Sequence, residues 1–439
     1  MNDARQGMAE MGAPNAHAQP NRHRAPHPLA WLVLYLPFGA VPSFVSVALG
    51  FEATQHGLSI TQGALLTAAG MLISWLKWLW APVVDITLTP RRWYLVAALA
   101  CALGTIAMAT IPLDRYWLGL LLVCIAATFF ASSVLGMAVE AMITVLTPTE
   151  QIGRASSWLQ SGNLGGGMLG GGLGLLLFTQ FSAPEVSGVV VGVCMLACCL
   201  PLWWLPPVAA HSGGRHALAA VREVAGGLWG MLKSKLGFLS AFLCVLPIGT
   251  GAAQAVLAQA AVAHHWGAGA HVVEIVQGVL FSLVTVAGCF AGGWICDRLN
   301  PRGGYALFGL FLAIVDVAMA FAPATVGVYV GGTLLYAFGV GLAYAGFTAV
   351  VLTAVGDSPA ATGYNVFASL SNFPIWWLGL LLGWLAERYG GPDMLLGEAV
   401  LGIVAVLLFA LVTRVAGESL FARAAHAGLK SGAPVAVAD

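Results

Sequence analysis

An internal repeat constrains the fold of this 439-residue chain more than any other feature. The tetrapeptide LPFG at 36–39 returns 210 residues later as LPIG at 246–249. An aspartate followed by basic residues, at the foot of a long apolar run, occurs at Asp85 and again 212 residues later at Asp297. Two copies of one helical bundle are the architecture that membrane transporters use to enclose a site at mid-membrane depth. The repeat therefore predicts a duplicated membrane protein.

Composition places the chain in a lipid bilayer. The sequence is 59% hydrophobic and 8% charged, whereas a soluble domain carries about 25% charged residues. Its 18 basic and 18 acidic residues cancel, so no nucleic-acid partner is indicated. All eight cysteines lie within apolar runs, with no cluster of histidines and carboxylates beside them, which argues against disulfides and zinc. We expect no cofactor and no metal.

Twelve membrane spans are predicted, because each crossing needs about 20 apolar residues. The spans are 29–50, 60–83, 93–112, 117–146, 157–180, 187–205, 237–261, 272–296, 304–322, 326–352, 364–386 and 393–414. The predicted fold is an all-α integral membrane protein. Its parts are a disordered tail (1–28), a six-helix bundle (29–205), a linker with an amphipathic helix (206–236), a second six-helix bundle (237–414) and a second tail (415–439).

The basic residues predict the orientation. Of the 18, Arg115 and Arg388 fall on the outer side and Lys77 falls within a span, so the others lie on the inner side or at inner helix ends. Positively charged loops stay in the cytoplasm. We therefore expect both termini in the cytoplasm.

Two segments resemble a known transporter family. The segment 293–302 (GWICDRLNPR) is similar to the signature loop of the major facilitator superfamily, roughly G-x-x-x-D-R-x-x-x-R. The earlier copy is more degenerate, since Ile86 stands where an arginine is usual. Within the superfamily, 76–85 (LKWLWAPVVD) resembles a stretch of the peptide/acetyl-coenzyme A transporter branch, which contains muropeptide and siderophore permeases. The resemblance implies two pseudo-symmetric bundles, with spans 1, 4, 7 and 10 around a cavity and spans 3, 6, 9 and 12 as outer supports.

The signature loops are predicted to form a gate. A carboxylate at the cytoplasmic end of one helix can accept hydrogen bonds from the exposed N–H groups at the start of another, and so hold the inner face shut. The alternative is a solvated turn in which the acid pairs with nearby arginines, worth under about 1 kcal/mol. The gate residues are Asp85, Arg91, Arg92, Asp297, Arg298 and Arg302.

Few charges lie inside the spans. Lys77 and Glu140 are predicted at nearly the same depth, and we expect them to pair because an isolated charge there costs roughly 3 kcal/mol or more. The alternative is that Lys77 extends to the headgroups while Glu140 bonds to loop arginines. Asp316 is a third candidate for proton coupling, although its place on span 9 favours a packing role. Glu398 is expected near the outer interface.

The substrate cavity should lie beside the proline bends. Pro37, Pro42 and Pro247 free carbonyls that a cavity or a polar neighbour must satisfy. Polar side chains on helices often serve only to join helices, but as a group these indicate a hydrogen-bonding pocket with aromatic walls. The predicted cavity residues are Tyr35, Gln160, Asn163, Gln254, Tyr336, Tyr344, Asn365, Asn372 and Trp376.

Two other motifs carry blander explanations. The glycine-rich stretch 162–174 lacks the Lys-Ser/Thr ending of a phosphate loop, so close helix packing explains it better. His264, His265, His271 and Glu274 lie near an outer loop and are expected to be solvated rather than to bind a metal.

The function indicated by these features is a proton-coupled secondary transporter in a bacterial inner membrane, acting as a monomer. It would import a muropeptide-, peptide- or siderophore-like solute. The alternatives are a proton-driven exporter of amphipathic compounds, a membrane protein of this fold that assembles or senses without transporting, and a membrane transferase. No catalytic constellation at either membrane face supports the transferase.

Overall fold

The computed structural model is all-helical in the part of the chain that it describes. The described residues are 26–420 except 82–83, 85–86, 148–151, 182, 209–225, 227–228, 231–232, 297 and 356–359. The predicted tails therefore lie almost wholly outside the described residues, as does most of the predicted linker 206–236.

Within the described residues we number twelve main helical segments α1 to α12, leaving the short helices between them without numbers. The first six are α1 (Leu29–Gln55), α2 (Ile60–Leu76), α3 (Pro90–Thr110), α4 (Leu118–Leu146), α5 (152–180) and α6 (Glu185–Ala197). The next are α7a (Lys235–Val245) and α7b (Ala253–Leu257), then α8 (Ala270–Cys296), α9 (Pro301–Phe321), α10 (Val326–Val355), α11 (Ala360–Tyr389) and α12 (Gly391–Val415).

Nine of these helices, among the described residues, are long and apolar enough to cross a membrane. The other three are α2, α5 and α7. The α-helix of α2 is 17 residues long and ends at Leu76, with a 3-10 turn over Lys77–Leu79. The predicted span 60–83 therefore begins as an α-helix that ends before Lys77, and its residues 82–83 lie outside the described residues. The predicted span 237–261 is likewise interrupted, between Val245 and Ala253.

The helices pack as two six-helix bundles. In the first half α3 packs against α4 and α6, and in the second half the corresponding helix α9 packs against α10 and α12. The two bundles meet mainly through α2 against α11 and through α5 against α8. These pairs correspond to each other under the repeat, as expected for two copies facing across an axis.

Glycines allow the closest helix contacts. A Cβ added at Gly166 would lie 2.6 Å from the amide nitrogen of Ala40, so α1 and α5 approach to a distance that no larger residue permits. The same holds between the bundles, where a Cβ on Gly278 of α8 would lie 2.7 Å from the amide nitrogen of Gly172 on α5. The prediction that 162–174 serves helix packing is confirmed.

Several contacts join the two halves at the end of the molecule that the sequence predicts to be outer. The Glu387 carboxylate accepts from the Thr61 amide at 2.8 Å, and the Gln55 amide nitrogen lies 3.4 Å from the imidazole of His264. Gly172 of α5 and Gly278 of α8 are in contact about 12 Å further into the molecule, since each lies eight residues along its helix from that end. We call this end, with Gln55, Thr61, His264 and Glu387, the closed end.

Candidate functional site

The break in α7 organises the centre of the molecule. The sequence predicts a bend at Pro247; the structure has a larger change, since the α-helix stops at Val245 and resumes at Ala253. Gly249 and Gly251 have φ of +61° and +69°, a conformation that side-chain-bearing residues rarely adopt. The Tyr305 hydroxyl donates to the freed carbonyl of Ile248 at 2.7 Å. Unwound backbone at this depth is tolerated where polar neighbours or a cavity satisfy it.

A cavity lies between the halves at the level of this break. It has two adjoining chambers of about 220 and 160 Å³. Both chambers are lined by Phe38, Lys77, Asn163, Thr250, Tyr344, Asn372 and Ile375. Because these residues come from both halves, movement of one half against the other would change the shape of the cavity.

Lys77 and Glu140 face the second chamber together. The Tyr35 hydroxyl donates to the Glu140 carboxylate at 2.9 Å. Lys77 lies at the end of the α-helix of α2 and is near enough to Glu140 for their charges to interact. The ion pairs between described residues join His56 to Glu52, Lys235 to Glu418 and His271 to Glu274, so the predicted pair makes no direct contact within 4.0 Å. The early end of the α-helix explains the difference, because the depth predicted for Lys77 assumed a straight helix.

Amide and tyrosine side chains complete the polar lining. The side-chain amide of Asn163 donates to the side-chain oxygen of Gln160 at 3.3 Å. The side-chain amide of Asn372 donates to the backbone carbonyl of Ser74 at 3.3 Å. Gln254 lies on α7b and lines the first chamber, while Tyr344 lines both. Tyr35 and Gln160 line the second chamber. Six predicted cavity residues are therefore brought to one place by helices from both halves.

Three predicted cavity residues are not placed there. Tyr336 is 1% exposed and contacts Glu398 and the start of α7b. Trp376 stacks on Trp75 of α2, with ring centroids 6.1 Å apart, and so joins the two halves. The side chain of Asn365 lies outside the described residues. A spacing of three and four residues puts side chains on one helix face, but it does not say which neighbour that face meets.

Glu398 occupies a position that the sequence did not predict. The sequence predicted only a place near the outer interface; the structure shows that Glu398 is 8% exposed and that its carboxylate lies beside the α7 break. Asp316 of α9 lines the same small space beside Glu398. Packing explains the burial of Glu398, because α12 lies against α9 and α7b. The signal in the sequence was a second acidic residue within an apolar run.

The predicted gate is described only in part, since Asp85 and Asp297 lie outside the described residues. The guanidinium of Arg298 lies over the Trp294 ring at 3.8 Å and donates to the Trp294 carbonyl at 2.9 Å. Arg302 is buried at the start of α9, where Asn300 caps the helix. In the first half Arg91 and Arg92 lie in the first turn of α3, behind the capping residue Thr89.

Comparison with known proteins places these features in a family. The profile of the Major Facilitator Superfamily matches residues 29–375 of the chain. The fold is similar to a D-xylose-proton symporter, with 14% identity, a TM-score of 0.68, and coverage of 87% of this chain and 96% of that one.

Two further solved structures have the same fold. A POT family transporter in complex with 5-aminolevulinic acid has 10% identity, a TM-score of 0.67, and coverage of 89% of this chain and 96% of that one. A bacterial homologue of the human lysosomal transporter Spinster, in an inward-facing and occupied conformation, has 15% identity, a TM-score of 0.63, and coverage of 88% and 96%. At these identities the likeness establishes the fold.

Proposed function

Because the chain belongs to the major facilitator superfamily, a family of multi-pass membrane transporters, we propose that it carries a compact zwitterionic solute by alternating access. The observation that carries this proposal is that a lysine and a glutamate face one cavity between the two halves. Lys77 would bind the carboxylate of the solute, and Glu140 would bind its ammonium group. The amides of Asn163, Gln254 and Asn372 would bind peptide-like groups between them.

The charges of the cavity favour this class of cargo over phosphate compounds. Lys77 is the one basic side chain among the described residues that line either chamber. Multiply charged phosphates are usually held by arginine forks or several cations. Coenzyme A esters are therefore disfavoured within the branch that the sequence resembles. Peptides and amino-sugar peptides, which carry one ammonium and one or two carboxylates, fit better.

Import driven by protons is the proposed direction. The closed end, with its contacts between Thr61 and Glu387, is the predicted outer end, so solute would leave the cavity toward the predicted inner end. One of the proteins of similar fold is a D-xylose-proton symporter, which supports protons as the coupling ion. A monomer in a bacterial inner membrane, with both termini cytoplasmic, completes the proposal.

Solute counterflow in proteoliposomes tests the proposal. Proteoliposomes that contain the purified protein would be loaded in turn with glycylsarcosine, 5-aminolevulinic acid, an anhydro-muropeptide, ferrichrome, D-xylose and acetyl-coenzyme A. Uptake of the matching radiolabelled compound in exchange for the loaded one would then be measured. We expect the zwitterions to exchange fastest. Lys77→Met and Glu140→Gln should each raise the half-saturating concentration by about tenfold or more, because each removes a charge-assisted hydrogen bond worth about 1.5–3 kcal/mol.

The matched control is Asp393→Asn, which removes a carboxylate at the start of α12, away from the residues lining either chamber. It should exchange like the wild type. Preference for acetyl-coenzyme A would overturn the assignment of cargo. Exchange of amphipathic compounds instead would favour the exporter, and no exchange of any compound would favour a non-transporting role.

A further inference from the structure

A second polar site lies inside the second bundle and adjoins the central cavity at Thr250. Asp316 of α9, Tyr336 of α10 and Glu398 of α12 converge on the unwound segment of α7. Their exposed fractions are 2%, 1% and 8%. Asp316 and Glu398 line a small cavity of about 10 Å³ together with Pro247, Gly249 and Thr250, which is room for roughly one water molecule.

Two hydroxyl groups connect Glu398 to the start of α7b. The Thr250 hydroxyl donates to Glu398 Oε1 at 3.3 Å and accepts from the Ala252 amide at 3.3 Å. The Tyr336 hydroxyl lies 3.0 Å from both Glu398 oxygens and accepts from the Ala253 amide at 3.2 Å. Each hydroxyl proton therefore points at the glutamate, which in this arrangement acts as an acceptor. The position of α7b thus depends on Glu398 being able to accept.

Asp316, unlike Glu398, has a carboxyl oxygen that receives no hydrogen bond from the described residues. This oxygen is Oδ1, and it is buried. The charged or titratable groups near it are Glu398 and Tyr336; Tyr305, on the same helix, instead donates to the Ile248 carbonyl. Two carboxylates in a site without a cation repel each other strongly, and an unpaired buried charge is costly. At least one of the two acids must therefore be protonated, or a cation must bind beside them.

We propose that Asp316 and Glu398 form a proton-binding site, and that the position of α7b depends on which of these two acids is protonated. With one proton on Asp316, Glu398 accepts from both hydroxyls and α7b is held as described. When Glu398 takes a proton, it loses accepting capacity and the ties to Ala252 and Ala253 weaken. Gln254 is the next residue and lines the central cavity, so the change reaches the substrate site. In this last step the inference rests on the proposed transport function.

A proton fits the site better than a sodium ion. A hard metal cation is held by several oxygen atoms that turn their lone pairs toward it. Here the hydroxyl oxygens of Thr250 and Tyr336 already accept from backbone amides, and their protons face Glu398. Binding sodium would require both hydroxyls to turn away. A proton needs only one carboxyl oxygen, and the orphaned Oδ1 of Asp316 offers one.

Infrared spectroscopy of the purified protein in dodecyl maltoside micelles, whose detergent has no carbonyl group, tests the site without any solute. At about pH 7 exposed carboxyl groups are ionised, so a carboxylic-acid C=O band reports a buried protonated acid. We expect this band in the wild type and its loss in Asp316→Asn. Glu398→Gln removes the repulsion that keeps the proton in place and should shift the pH at which the band disappears. Glu274→Gln, on α8 and paired with His271, is the matched control and should leave the band unchanged.

Hydrogen exchange tests the connection to α7b. Glu398→Gln and Tyr336→Phe should each increase exchange of the amides of Ala252 and Ala253 by about tenfold, because a tie to the local structure is lost. Tyr336→Phe keeps both acids and should keep the infrared band. No carboxylic-acid band in the wild type would overturn the proposal. So would unchanged exchange in both variants, or a band that responds to replacing potassium chloride by sodium chloride.

Transport assays then separate this inference from the proposed function. If the function is correct, wild-type protein exchanges a zwitterion in counterflow. If the proton site is also correct, Glu398→Gln retains counterflow but loses accumulation driven by a proton gradient, since exchange requires reorientation without proton release. Counterflow with wild-type accumulation in Glu398→Gln would refute the coupling by this site and leave the proposed function standing. Absence of wild-type counterflow would refute the function and leave the infrared result unaffected.

Discussion

The contact between Gly172 and Gly278 gives a sharp test of alternating access. These two glycines bring α5 and α8 together near the closed end, where the two halves meet. A Cβ on Gly278 would overlap the Cα of Gly172 and lie 2.7 Å from its amide nitrogen, whereas ordinary contact begins near 3.4 Å. The substitution Gly278→Ala therefore requires the helices to move apart by about 1 Å. Overpacking of this kind costs about 1–3 kcal/mol.

This cost applies only while the closed end is closed. If the halves separate at this end in the other conformation, Gly278→Ala costs nothing in that conformation. The ratio of the conformation that is open at this end to the one that is closed should then rise by about 5–150-fold. Gly288 is the matched control, ten residues along the same helix. Its added Cβ would overlap the Phe338 carbonyl oxygen of α10, within the same bundle. Gly288→Ala should therefore be penalised in every conformation and lower the unfolding temperature.

Cross-linking measures the two effects separately. Gln55 and His264 are in contact across the closed end, so the pair Gln55→Cys and His264→Cys reports closure once the eight native cysteines have been replaced. We expect several-fold slower disulfide formation in the Gly278→Ala background and a nearly normal unfolding temperature. The Gly288→Ala background should show the reverse. Equal cross-linking rates in the two backgrounds would refute the idea that α5 and α8 separate at this end.

Further outcomes are expected from single changes. Lys77→Met or Glu140→Gln alone should lower the free energy of unfolding more than the double change does. The loss should be smaller than the 3–5 kcal/mol typical of a direct buried pair, because the two side chains share a cavity without touching. Simple additivity in a double-mutant cycle would rule out their interaction. Asp297→Asn should reduce transport while leaving expression and membrane insertion near normal, and full activity would remove the gating role of the signature loop. Glu387→Gln weakens the cap on Thr61 and should slow cross-linking at the closed end about twofold to tenfold, which unchanged rates would contradict. Reporter fusions should place 206–236 in the cytoplasm, and an external location would refute the predicted orientation.

The sequence alone determined the membrane setting, the duplication and the positions of most helices. These follow from local properties, since span length and hydropathy are set by about 20 consecutive residues, and a repeat is visible as spacing. It also identified several polar residues that line the cavity, including Asn163, Gln254 and Asn372, because polar groups in apolar spans are uncommon enough to be informative.

The tertiary structure decided which polar groups meet. Thr250 and Glu398 are 148 residues apart, and Tyr336 and Glu398 are 62 apart, so no local pattern predicts that they share hydrogen bonds. The extent of the break in α7 could not be predicted either, because the geometry after Pro247 depends on the Tyr305 hydroxyl, which donates a hydrogen bond to the freed carbonyl of Ile248. Hydropathy counts apolar residues in a span but does not say which face of a helix its neighbours cover. Packing among helices that are distant in sequence placed Glu398 and Tyr336 together, and Lys77 and Glu140 around one cavity.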